Sequence, residues 1–332
     1  MELKQEEHKV KEWAEANSQS LGLNKSNIEA KYIWNPGGFV NQSYRLTDGQ
    51  TIRHLKLSQE QNATGLKQWV KLSEHLGNNY RAPRLIREVT QEITSGYSYG
   101  LVFDFIKGKP LSAISDPLPV IEKVLKSLHQ LHTDKEIGMI VASEDQSYNY
   151  AAAFNDEYIT RFEEDLQIIR ADKHLLDFVT ADTLDWFDAE VEALKLMVSQ
   201  HPSFQQKATD IVHNDINWNN ILVDDKNDFW IIDWDDLTVC GDAAMDYSVL
   251  LWPLYKSKDW TYCRELVIDL AGVAILERIE FYFRAKLLDD VIDVLADYVD
   301  AEHVPELKEM TQKRAKEIHL RAYPEYLNLY AR

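Results

Sequence analysis

The sequence predicts an α+β protein of two lobes, a small β-rich one at the amino end and a larger, mainly helical one after it. Three observations carry that expectation. Up to about residue 105 the apolar residues come in short alternating runs broken by glycine-bearing turns, which is strand patterning. Beyond Lys107-Gly-Lys-Pro110 they recur at three and four residues, which is helix patterning. Two polar loops bracketed by short apolar runs then interrupt the helices between residues 211 and 236. Gly108 and Pro110 mark the change of character, so the expected boundaries are 1–105 and 106–332.

Taken in order, residues 31–34 and 43–47 read as strands on either side of Asn35-Pro-Gly-Gly-Phe-Val-Asn-Gln42, and Asp48-Gly49 is a hairpin signal into a third strand at 51–57. A helix follows at 61–76, with Leu66, Trp69, Val70, Leu72 and Leu76 on its apolar side. Strands at 84–89 and 97–106 complete a βββαββ lobe. Val120, Ile121, Val124, Leu125, Leu128 and Leu131 repeat at helical intervals, and an acidic, aromatic-rich helical insertion runs from about 149 to 205. Short strands at 211–212, 221–223 and 229–232 frame the two polar loops, and from Asp242 onward the chain reads as helix.

Composition narrows the class of function. The chain has 332 residues, 45% of them hydrophobic, and a formal charge of −19, so disorder is excluded and about two domains are expected. Such an acidic balance argues against a nucleic-acid partner, which needs clustered Lys and Arg. Cys240 and Cys263 are too few for a disulfide framework and match no zinc spacing. The amino terminus is charged throughout, and the longest apolar stretch, 266–276, contains Asp269 and falls short of the ~20 residues that span a bilayer. The expectation is a cytoplasmic monomer or homodimer with a small-molecule partner, without membrane or nucleic acid.

The chemistry is concentrated in Ile211-Val-His-Asn-Asp-Ile-Asn-Trp-Asn-Asn-Ile-Leu-Val223 and Phe229-Trp-Ile-Ile-Asp-Trp-Asp-Asp236. His213, Asp215 and Asn220 satisfy H-x-D-x-x-x-x-N, and Asp233 ends the next apolar run, which together is the spacing of phosphoryl transfer. An in-line transfer needs a carboxylate to orient the acceptor hydroxyl and take its proton, and Asp215 is the candidate. It also needs Mg²⁺ on oxygen ligands, for which Asn220 and Asp233 supply an amide oxygen and a carboxylate. His213 is expected to buttress the loop by hydrogen bonding rather than to move protons. Asn and Asp also cluster in plain turns. Two such loops in the right order, behind a glycine-containing meander with a strand-borne lysine, outweigh that reading.

These residues resemble the aminoglycoside phosphotransferase and choline kinase family of kinase-like small-molecule phosphotransferases, and the likeness extends over most of the chain. His213-Asn-Asp-Ile-Asn-Trp-Asn-Asn-Ile-Leu222 is similar to its catalytic loop and Ile232-Asp-Trp-Asp235 to its metal-binding motif. Gly37-Gly-Phe-Val-Asn-Gln-Ser-Tyr44 is similar to its nucleotide loop, Leu101-Val-Phe-Asp-Phe-Ile106 to its hinge, and Leu128-His-Gln-Leu-His132 to the helix beyond. Gly241-Asp242, with Asp246 four later, resembles the stretch following the metal Asp. The resemblance implies a bilobal protein-kinase-like fold, ATP or GTP as donor with Mg²⁺, and a small hydroxylated acceptor. It makes Asp215 the base, Asn220 and Asp233 the metal ligands, and Lys56 the strand lysine on the phosphates, with base recognition through the backbone of Asp104 and Ile106. Alternation puts Ile52, His54 and Lys56 on one strand face and Arg53, Leu55 and Leu57 on the other; a solvated edge lysine is the other reading of Lys56. Gly37 and Gly38 would let backbone amides approach phosphates, with Asn41 fixing the loop, although Pro36-Gly37 is equally a plain turn signal.

The departures matter too. The family pairs its strand lysine with a glutamate on the next helix, where this chain has Gln68 or Trp69; Glu60 and Glu74 are off-position substitutes. That departure keeps open a non-catalytic, nucleotide-binding or assembly role. Asn214 stands where many aminoglycoside kinases have Gly, and His-Asn-Asp is closer to choline and ethanolamine kinases. Trp218 contacts substrate or packs; Asp235 and Asp236 bind an acceptor amine or cap the following helix. Residues 154–192 carry twelve acids against three bases, which favours an amine-bearing acceptor such as an aminoglycoside-like antibiotic or amino sugar, or is a solvated helix face. Tyr247, Trp252, Tyr255 and Trp260 raise the alternative of a quaternary ammonium such as choline.

Overall fold

Alternating burial organises the first half of the chain. In the computed structural model, which describes residues 3–34, 41–141 and 148–330, helices α1 (Leu3–Ala16) and α2 (Ser18–Leu21) lead into strands β1 (Glu29–Ile33), β2 (Asn41–Thr47) and β3 (Ile52–Ser58). Helix α3 (Thr64–Asn79), strands β4 (Leu85–Val89), β5 (Tyr99–Asp104) and β6 (Lys109–Pro110), and helices α4 (Leu118–His132) and α5 (Lys135–Ile140) follow. Then come α6 (Tyr150–Phe154), α7 (Thr160–Ala171), α8 (Ala181–Gln200), β7 (Asp210–Val212), β8 (Ile221–Val223), β9 (Phe229–Ile231), β10 (Thr238–Gly241), α9 (Ala243–Leu251), α10 (Trp260–Ala271), α11 (Ile275–Asp300) and α12 (Pro305–Tyr330). The β-rich amino lobe and mainly helical carboxyl lobe are those of the protein-kinase-like fold. No described helix is long and apolar enough to cross a membrane.

The chain divides into two compact units. The first comprises residues 1–127, 135–142 and 215–237; the second comprises 128–134, 143–214 and 238–332. In the first, five antiparallel strands run in the order β1-β2-β3-β5-β4. Tyr44, Leu46, Leu55, Leu57 and Val102 send fully buried side chains to one face, where Val10, Trp13 and Ala14 of α1 complete the core. Helix α1 was not legible in the sequence: its Lys and Glu residues masked a narrow apolar stripe that the sheet covers. A small sheet in the order β6-β8-β9 holds residues 215–236, which carry most of the two polar loops, in the same unit.

The second unit is built round α11, which packs against α7, α9 and α12. Its buried residues include Ile279, Tyr282, Phe283, Leu287, Leu288, Val291, Ile292 and Leu295, as expected of a helix covered on several sides. The antiparallel pair β7 and β10 lies here too, and β10 is a strand the sequence did not announce.

Candidate active site

The first unit contains a cavity of about 570 Å³ lined by residues from β2, β3, α3, the β5 end and both polar loops. His54, Lys56, Asp104, Ile106, Asp215, Asn220, Asp233, Asp235 and Asp236 all line it. Strand alternation explains the wall contributed by β3: His54 and Lys56 face the cavity while Leu55 and Leu57 are fully buried in the core behind. Asp104 is fixed at the end of β5 by Arg53 and Arg84, each at 2.8 Å.

Within the first loop, Asp215 is held from both sides. Asn217 Nδ2 donates to its Oδ1 at 2.7 Å, and Asn220 Nδ2 donates to its Oδ2 at 2.7 Å and to its backbone carbonyl at 2.8 Å. The Asn220 amide nitrogen is thereby turned to Asp215 and the amide oxygen away from it. Asp233 has φ of 68°, a left-handed conformation that lets the chain leave β9 and enter the single 3₁₀ turn Trp234–Asp236 at once. Its carboxylate pairs with Lys56.

Lys56 is buried, and Asp235 grips it with both oxygens, at 2.7 and 2.8 Å from Nζ. Burial alone would lower the Lys56 pKa; the charges of Asp233 and Asp235 outweigh it and hold the ammonium above its ordinary value. Asn41 Nδ2 donates to Asp235 Oδ2 at 3.3 Å. His54 has the opposite fate: burial, then the Lys56 charge, pull it down to about 4, so a neutral imidazole faces the cavity. Glu60 pairs instead with Lys67 at 2.6 Å, Glu74 is exposed, and Gln68 Nε2 donates to the Leu237 carbonyl at 2.6 Å.

In the second unit, Asp246 is fully buried in the first turn of α9 and gathers three donors. The backbone amides of His213 and Asn214 reach its two oxygens at 2.9 Å, and His132 Nε2 lies 3.0 Å from Oδ2. Asn214 has φ of 69°, where Asn is tolerated better than most residues. That conformation suits an Asn better than most other residues with a side chain. Asp242 caps α9 through the Ala244 amide and pairs with Arg278 at 2.8 Å.

A profile of the phosphotransferase enzyme family matches residues 34–282. The chain belongs to that family. Solved structures agree at the level of fold. An aminoglycoside 2'-phosphotransferase in complex with GDP superposes with a TM-score of 0.62 at 12% identity, covering 96% of this chain and 99% of that one. An ethanolamine kinase of Plasmodium vivax gives 0.57 at 13%, covering 96% and 87%. A spectinomycin phosphotransferase solved with ADP and spectinomycin gives 0.55 at 14%, covering 94% and 91%.

Among the residues expected from the sequence, Gly37 and Gly38 lie outside the described residues. Trp218 is half-buried and is not among the cavity-lining residues, and His213 is fully buried in the second unit. The donor set suits magnesium: Asn220 offers an amide oxygen and Asp233 a carboxylate, and Mg²⁺ commonly takes one or two protein oxygens with phosphates and water completing its shell. Sequence reasoning assigned no role to His132 or Asp246, though both lay in quoted motifs; a buried Asp four residues past an N-cap Asp was the available signal.

Proposed function

We propose that this phosphotransferase moves the γ-phosphate of ATP or GTP to a hydroxyl of a small, amine-bearing acceptor. The observation that carries the reading is the sharing of one cavity by Lys56, Asp215, Asn220 and Asp233. Asp215, oriented by Asn217 and Asn220, would receive the acceptor's proton as the hydroxyl attacks. Lys56 would hold the nucleotide phosphates, and the backbone amides of Gly37 and Gly38 would donate to them, with Asn41 fixing the loop. Asp104 and Ile106 would contact the base through their backbone, with Ile33, Phe105, Leu222 and Ile232 as apolar walls. Magnesium held by Asn220 and Asp233 would neutralise the charge that develops on the phosphates. His213 would act through the loop rather than on substrate, and Asp236 remains a candidate for an acceptor amine. Cytoplasmic action as a monomer or homodimer accords with this chemistry.

Charge and packing support one acceptor class over another. Several acids of the insertion are already engaged: Glu157 and Asp188 with arginines, Glu163 with Lys195, Glu190 with Arg284 and Asp177 with Lys316. The rest of the negative field supports a cationic acceptor such as an amino sugar or aminoglycoside. A choline-type cage is less well supported, because Trp252, Tyr255 and Trp260 pack on Phe283 at 5.6, 4.3 and 5.2 Å and Lys256 covers Tyr255 at 5.3 Å. The test is nucleoside-diphosphate release with Mg-ATP and Mg-GTP across aminoglycosides, amino sugars, choline and ethanolamine, with Asp215→Ala as blank. Acceptor-dependent release absent from the blank supports the reading. Near-full transfer by Asp215→Asn would refute the base assignment, and silence with nucleotide still bound would favour a non-catalytic nucleotide-binding role.

A further inference from the structure

The one acid of α3, Glu74, is exposed, and the buried Lys56 ammonium pairs instead with Asp233 and Asp235. We infer that Asp235 is the positioning carboxylate of Lys56, supplied by the turn after the metal-binding aspartate rather than by the helix; this rests on the phosphotransferase reading above. Asp235 chelates Nζ with both oxygens at 2.7 and 2.8 Å and is itself steadied by Asn41. Asp233 also touches Lys56, but it is the carboxylate assigned to magnesium, so Asp235 is the partner that remains.

Helix α3 keeps its influence on the lysine at one remove. Gly65 in its first turn lies so close to the turn that a Cβ there would fall 1.9 Å from the Asp235 carbonyl oxygen and 2.8 Å from its carbon. One helical turn on, Gln68 donates to the Leu237 carbonyl at 2.6 Å. The helix thus meets the turn Trp234–Asp236 at its middle residue, Asp235, and just past its end, at Leu237, where a helix-borne glutamate would have held the lysine directly. Every residue in this chain of contacts belongs to the first unit.

A double-mutant cycle on the full chain tests it, using Asp235→Asn, Lys56→Met and the pair. The readouts are Mg-nucleotide affinity by calorimetry, kcat and KM for acceptor-dependent diphosphate release, the Mg²⁺ concentration for half-maximal rate, and acylation of Lys56 by mass spectrometry without nucleotide. The expectation is a kcat loss on the order of 10- to 100-fold for Asp235→Asn, the scale of a misplaced group, with partial recovery in Asp235→Glu. It also includes faster Lys56 acylation, an unchanged Mg²⁺ requirement, and a double variant no worse than Lys56→Met. Gly65→Ala should reproduce the Asp235→Asn behaviour by displacing the turn; if it does not fold, the cycle stands without it. Additive losses in the double variant, unchanged acylation, or a raised Mg²⁺ requirement would overturn the assignment, the last by making Asp235 a metal ligand. Absence of nucleotide binding by the unmodified chain would instead sink the phosphotransferase reading, and the acylation comparison would still report on the ion pair.

Discussion

Replacing Asp246 should cost more stability than almost any other single polar change in this protein. The side chain is 0% exposed, so solvent does not screen what it does. It accepts the His213 and Asn214 amides at 2.9 Å each and faces His132 Nε2 at 3.0 Å. Hydrogen bonds to a charged group contribute ~1.5–3 kcal/mol apiece, and each buried donor left without a partner costs ~1–3 kcal/mol. These terms overlap, so a loss of about 3–5 kcal/mol is expected for Asp246→Ala. That is a large share of the ~5–15 kcal/mol that keeps a domain folded. Asp246→Asn should fall between, because one amide oxygen still accepts while the NH₂ faces donors. Urea unfolding measures both, with the midpoint falling and the slope unchanged. Since His213 and Asn214 lead in sequence directly into Asp215, kcat should fall as well while nucleotide affinity is retained. A midpoint loss equivalent to under about 1 kcal/mol for Asp246→Ala would refute the reasoning, because it would mean the two backbone amides find other partners.

Two further predictions concern the second unit. Burial together with neighbouring carboxylates pushes Asp165 up to about 7, Asp293 to about 8 and Asp297 to about 6, against an ordinary value of 3.8. The folded chain therefore holds protons that the unfolded chain releases, so this contribution is greatest below the ordinary value and is lost as pH rises through about 6 to 8. Thermal unfolding followed from pH 6 to pH 8.5 should show a midpoint falling by at least ~3 °C, a change of about 1 kcal/mol on this scale, and Asp293→Asn should flatten the profile; equal slopes in the two proteins would remove Asp293 from the account. Gly241→Ala would set a Cβ 2.1 Å from Val212 Cγ2 across the β7 and β10 pair, and overpacking of this kind costs ~1–3 kcal/mol. Val212→Ala introduced beside it should restore most of the loss, whereas an unrecovered urea midpoint would place the strain in the backbone.

Local patterns were legible and long-range partnerships were not. Alternation along β3 was enough to put His54 and Lys56 on one face and Leu55 and Leu57 on the other, because a strand has only two faces. The spacing of Asp215 and Asn220 was readable because the Asn220 side chain reaches back to Asp215 within a single loop. The partner of Lys56 was sought on the next helix, at Glu60 or Glu74, and lies instead at Asp233 and Asp235, some 180 residues further along the chain. No periodicity encodes such a contact. The same holds for Gly65, which looks like a weak helix residue until the Asp235 carbonyl beside it shows why a Cβ cannot be there. Helix α1 failed for a different reason: only Glu6, Val10, Trp13 and Ala14 of its fourteen residues are buried, a stripe too narrow to stand out among charges.

The segment 233–237 concentrates three separate demands on five residues. Asp233 must present a carboxylate in a left-handed backbone, Asp235 must meet Lys56, and the Leu237 carbonyl must receive Gln68. Trp234, 1% exposed and tied by its Nε1 to the Ile231 carbonyl at 2.8 Å, fixes the turn between them. These demands sit close enough to couple, so the effect of one substitution on rate is read against that of a second rather than credited to one residue alone. Coupling between pairs is the quantity with a defined meaning here. A lysine held by a helix glutamate can move with that helix independently of Asp233, whereas a lysine held by Asp235 cannot. In this protein a disturbance of the turn Trp234–Asp236 must therefore also disturb the lysine, and nucleotide affinity and turnover should fall together rather than separately.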